Sequence, residues 1–166
     1  MSFFKKLFGK KVASDAKSSS LKDISKDLNA SQSDTRIFTL DFIDDKFKVG
    51  QIWKYKTREG EEDSRIQILK IDKFKDNEPF IHISIHGLKI KSPASESGYS
   101  ETVGHLPFDR KSFDESVTEL EGQKSITTDH LDGYQTWKEA FEAEKAGVFT
   151  ISIAKVIAFL ERSMNE

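Results

Sequence analysis

The chain of 166 residues contains no cysteine. That absence excludes disulfides, thiolate zinc sites and a cysteine nucleophile together, and it suits a reducing compartment. There is no run of about 18 apolar residues and no continuous apolar core near the N-terminus, so neither a spanning helix nor classical secretion is expected, and the expected location is the cytoplasm. Position 2 is Ser, which removes N-myristoylation. The glycines never fall into a G-x-G-x-x-G or P-loop spacing, so a phosphate cradle has no support. No G-x-S-x-G elbow is present either; Ser, His and Asp coexist without a pattern that assembles them.

What is there reads as one domain with a sizeable core, since 33% of the residues are charged and 36% hydrophobic. The net charge of −2 hides an asymmetry: residues 1–33 hold seven Lys against three Asp, leaving −6 for the remainder. Residues 1–35 are expected to be a basic amphipathic N-terminus and flexible linker, and residues 36–166 a single α+β domain. In the first segment Phe3, Phe4, Leu7 and Phe8 alternate with Lys5, Lys6, Lys10 and Lys11, a composition able to lie on an anionic membrane surface. The linker adds Leu21, Ile24 and Leu28 at spacings of three and four, the pattern of a weak helix.

Four strands are predicted, over residues 37–43, 51–58, 65–74 and 80–90, from period-two alternation and from the turn residues between them. Their order makes an antiparallel meander. Residues 92–104 are predicted as a mobile loop. Asp109 is placed to cap a helix carrying Phe113, Val117 and Leu120 inward, and residues 121–132 are polar. Residues 133–163 predict two amphipathic helices with stripes of Tyr134, Trp137 and Phe141, then Ile153, Val156, Ile157 and Leu160, covering one face of the sheet. Strands followed by helices define an α+β fold.

Candidate chemistry is sparse. His82 and His86 project from one face of a strand with Ser84 between them, but at i and i+4 they stand roughly 13 Å apart, too far to chelate one metal. A hydrolase using His82, His86 or His105 beside Asp109, in a cleft below the 92–104 loop, is the enzymatic alternative. The folded part is acidic and its aromatics fall at core spacings, which argues against nucleic-acid binding. Residues 109–146 carry ten acids against five bases, a surface suited to a basic protein partner. Asp114, Glu115, Glu119 and Glu121 are the candidate partner-binding residues.

The order of four stretches, IWKYKTREGEEDSRIQILKI, IHISIHGLKI, VGHLPFD and YQTWKEAFEAEKAGVFTISIAKVIAFLE, resembles a group of small bacterial proteins. In size, acidity and lack of a catalytic signature the chain is similar to immunity proteins that neutralise bacterial toxins. The resemblance spans roughly residues 49–163 and attaches no family residue to a position here. It implies a non-enzymatic, cytoplasmic protein-binding module, an immunity-like toxin inhibitor with no cofactor and no metal. The remaining alternative is a membrane-peripheral adaptor anchored by residues 3–8.

Overall fold

The computed structural model describes residues 38, 39 and 41–166; the amphipathic segment, the linker and the anchor at residues 3–8 lie outside them. The elements are β1 (Phe38–Thr39), β2 (Gln51–Tyr55), β3 (Arg65–Phe74), β4 (Phe80–Lys91), β5 (Tyr99–Asp109), α1 (Arg110–Ser116), β6 (Val117–Gln123), α2 (Leu131–Glu142) and α3 (Ile153–Asn165). The sheet is antiparallel with the order β5-β4-β3-β2-β6, and the short β1 pairs with the far end of β3. The α+β class and the meander are as the sequence predicts, with five strands in the main path rather than four.

Three local expectations are corrected. Of the strand expected at residues 37–43, Phe38–Thr39 forms β1, and the described residues 41–43 are not strand, although Phe42 N–H donates to Ile71 O at 2.8 Å. Residues 92–104 are not a mobile loop: a turn closed by Ser92 N–H donating to Gly98 O at 2.9 Å leads into β5, which starts at Tyr99. Val117 and Leu120 lie on β6 and not on the preceding helix. That helix, α1, is capped as predicted, Asp109 accepting from Ser112 N–H at 2.9 Å. It stops after seven residues because the chain turns extended at Val117 and finds an open edge at β2, where Tyr55 opposes Val117 and Lys54 opposes Glu119. An available ladder of backbone partners overrides a weak helical pattern.

Alternation along β4 gives the sheet two faces of different chemistry. Ile81, Ile83 and Ile85 are fully buried on one face, with Ile66, Ile68, Leu106, Phe108 and Phe113 and the α3 stripe Ile153, Val156, Ile157 and Leu160. The other face presents Phe80, His82, Ser84 and His86, and α2 covers part of it with Tyr134 and Trp137 packed against Phe80. The two C-terminal helices, expected on one face, therefore lie on opposite faces. The connection between them rounds the sheet at the β5 edge, where Phe149 N–H donates to Pro107 O at 2.9 Å and Phe149 O accepts from Asp109 N–H at 3.0 Å. This crossing divides the aromatic stripe from the aliphatic one.

Two ion-pair systems fasten the edges. Arg58 forks onto Glu61 at 2.6 and 2.9 Å and reaches Glu161 of α3 at 2.6 Å, while Arg110 holds the buried Asp44 at 2.6 Å. Burial acts against ionisation of Asp44, but the Arg110 guanidinium and the backbone N–H groups of Phe47 and Lys46 outweigh it and hold the carboxyl at about 2.

Candidate functional site

The four acids chosen as partner-binding residues do not share a helix face. Asp114 and Glu115 lie on α1, and Glu119 and Glu121 on β6. Three already face a base of this chain: Asp114 meets Lys46 at 2.5 Å, Glu119 meets Lys54 at 3.1 Å and Glu121 meets Arg65 at 2.8 Å. Glu115 offers its main-chain carbonyl to Lys56 Nζ at 2.8 Å. These pairs are solvent-exposed, so each is weak and can be exchanged. β6 forms one edge of the sheet, and its pairing with β2 slips twice. Such irregularities, with charges, discourage the edge from pairing with another strand.

The histidines separate. His82 is fully buried and its Nδ1 lies 3.0 Å from His105 Nε2, not near His86. Its Nε2 faces Asp72 Oδ2 at 3.5 Å. Asp72 is fully buried and accepts from the Tyr134 hydroxyl at 2.5 Å and from Asp41 N–H at 3.0 Å. Since a carboxylate only accepts, the consistent proton arrangement has His82 Nε2–H pointing to Asp72 and His82 Nδ1 accepting from His105 Nε2–H. Trp137 closes the cluster, its ring 4.7 Å from that of His82.

Burial dominates the electrostatics here. Desolvation lowers the His82 pKa against the raising pull of Asp72, and desolvation with the neighbouring histidines brings His105 to about 2. Asp72 stays ionised: burial opposes it, but the hydrogen bonds from His82 and Tyr134 prevail and its pKa is lowered. Burial and the Asp72 carboxylate both push the Tyr134 phenol up. At neutral pH the set is one buried carboxylate with the neutral Tyr134 and His82 at Oδ2 and the Lys70 ammonium 3.9 Å from Oδ1.

Of the three histidines named for a hydrolytic alternative, His82 and His105 pair and His86 does not join them. His86 is exposed and its Nε2 lies 3.2 Å from Ser84 Oγ; Asp109 accepts from Ser112 N–H as the α1 cap. Among the described residues no group of three or more His, Asp or Glu side chains is arranged to hold a metal ion, and no helix is long and apolar enough to cross a membrane.

Sequence reading missed Asp72, Tyr134 and His130 as members of a polar site. Asp72 did not stand out, because β3 also carries Arg65, Gln67, Lys70 and Lys73; Tyr134 was legible only as part of an apolar stripe. Gly133 shows how tightly α2 sits, since a Cβ there would lie 3.0 Å from His105 Cβ.

Beyond α2 the histidine face opens into a cleft of about 500 Å³. Its floor includes Ile52 and Leu69, Ser84 and Gly104 lie in its wall, and the loop after β6 supplies Asp129 and His130. His130, though 8% exposed, lines this space; its Nδ1 is 2.8 Å from Thr127 O. A carbonyl can only accept, so this contact puts the proton on Nδ1 and leaves Nε2 as an acceptor in the neutral ring.

No family model matches the chain, and no curated protein or solved structure matches it significantly. Function is therefore argued from the residues alone.

Proposed function

We propose that the chain is a protein-binding module, an immunity-like inhibitor of a bacterial toxin that acts by holding a basic protein partner. The observation that carries this reading is the exposed acid set around α1 and β6, whose ion pairs are weak enough to be traded for a partner's bases. Glu119 keeps 65% of its side-chain surface and Glu121 keeps 41%. The excess of acids over bases in residues 109–146 supplies the longer-range field that steers association. The histidine cluster supports a structural role better than a catalytic one, because His82 and His105 are enclosed beneath α2 and neutral.

The test is charge reversal. The quadruple variant Asp114→Lys, Glu115→Lys, Glu119→Lys, Glu121→Lys is compared with the native chain for association with a partner captured from the native host. Association of the native chain is expected to weaken as salt rises, and the variant to associate at least about tenfold more slowly. Equal rates at low salt would remove this surface. A His105-dependent hydrolytic turnover by the purified chain would instead favour the enzymatic alternative.

A further inference from the structure

Resting on that reading, we propose that the cleft on the histidine face is an anchor pocket for an arginine side chain of the protein partner. The lining decides the chemistry. His130 presents the Nε2 lone pair, because its Nδ1 proton is committed to Thr127 O. Gln67 donates its amide to Lys124 O at 2.9 Å, which leaves its Oε1 as an acceptor. Asp129 accepts only from the Thr127 hydroxyl, at 2.9 Å, and keeps acceptor capacity. Of the two bases in the lining, Arg65 is spent: its Nε lies 2.8 Å from Glu121 Oε2, and its Nη1 donates to the carbonyls of Glu62 and Ser64. Lys124 is exposed.

The unspent capacity of the cleft is thus mostly acceptor, above a floor that includes Ile52 and Leu69. A guanidinium on an aliphatic stem fits this arrangement. Its five donors fork to several acceptors, it stays charged at any working pH, and its methylenes cover apolar floor. An anion would meet the lone pair of His130 and the carboxylate of Asp129, with Lys124 in its favour and the charges of Arg65 and Glu121 offsetting each other. Gly104 leaves room for the incoming head, since nothing lies within 4 Å of where its Cβ would be.

The experiment is an NMR titration of the full chain with N-acetyl-arginine amide, with the norleucine and glutamate analogues as controls. Saturable shifts at His130, Ser84 and Gly104 with the arginine probe alone are expected. His130→Phe should weaken that binding at least about tenfold, the size of a lost hydrogen bond to a charged group, and Lys124→Ala should strengthen it about twofold by removing an exposed like charge. If His130→Phe does not fold, the exposed Asp129→Asn carries the test, with an expected loss of about threefold. Shifts equal to those of the norleucine analogue, tighter binding of the glutamate analogue, or indifference to these substitutions would overturn the pocket. The readouts separate the two proposals. A failed probe with intact salt-dependent partner binding removes only the pocket, and a bound probe with charge reversals that leave the partner unaffected removes only the acidic surface.

Discussion

From a single strand, β4, Ile81, Ile83 and Ile85 enter a layer in which almost every neighbour is hydrocarbon, while His82 enters the opposite layer among Asp72, His105 and Tyr134. Both layers exclude water, but they rest on different physics. The isoleucine side gains from area removed from water, about 2–3 kcal/mol for each such side chain, and needs no particular orientation beyond close packing. The histidine side gains little from area and is stable only if each donor meets an acceptor, because an orphaned buried polar group costs about 1–3 kcal/mol. One layer tolerates volume-conserving change; the other depends on proton positions.

Truncation on the two sides should therefore differ in size and in kind. Ile83→Ala is expected to cost about 4 kcal/mol in urea denaturation, through lost transfer energy and the cavity left behind. Asp72→Ala should cost about 3 kcal/mol, because it orphans the Tyr134 hydroxyl and removes the partner of His82. Adding Tyr134→Phe to Asp72→Ala should then cost little more, whereas Tyr134→Phe combined with Ile83→Ala should be additive. Additivity between Tyr134→Phe and Asp72→Ala would refute the hydrogen-bonded account of the histidine side.

Acid should act on one layer alone. A histidine whose pKa falls on folding binds its proton more readily when unfolded, so its stability contribution is complete above the ordinary 6.5 and is lost as pH falls below it. With His105 held at about 2, the slope below 6.5 is about 1.4 kcal/mol per pH unit, some 2 kcal/mol by pH 5. His82, also lowered, steepens the loss. Asp72, whose carboxyl pKa is depressed, loses its contribution only below the ordinary 3.8. Denaturation curves from pH 8 to 5 should show this decline, and His105→Gln should flatten it. A native profile flat across that range would mean that the pair is not held neutral by burial.

The smallest expected effect is at the sheet edge that belongs to neither layer. Lys54→Ala should change stability by less than about 0.5 kcal/mol, since its pair with Glu119 is exposed. A larger loss would show that β6 is held by this pair and not by its ladder to β2.

Much of this fold was legible in the chain before any coordinates. Period two in residues 65–74 and 80–90, the turn residues between them and the Asp109 cap depend on local geometry, so neighbours in sequence suffice to reveal them. The acids at 114, 115, 119 and 121 were legible as acids, but their partners Lys46, Lys54 and Arg65 were not, because those bases are brought to them by strand pairing. β6 was misread for a similar reason. Seven residues with a weak helical period take whichever backbone partners the tertiary structure offers, and here β2 offered an edge.

By itself the sequence determined the class of fold, the meander, the amphipathic character of both C-terminal helices, and the absence of any thiol. These follow from composition and from periods shorter than a helical turn or two. Only the tertiary structure decided that the two helices take opposite faces, that His82 pairs with His105 across strands instead of with His86 along one, and that His130 lines the cleft with its Nδ1 held to Thr127 O. Each of these depends on contacts between residues more than twenty positions apart or on a hydrogen-bond partner that fixes a tautomer. Such contacts exist only once the sheet has closed and the chain has rounded its β5 edge.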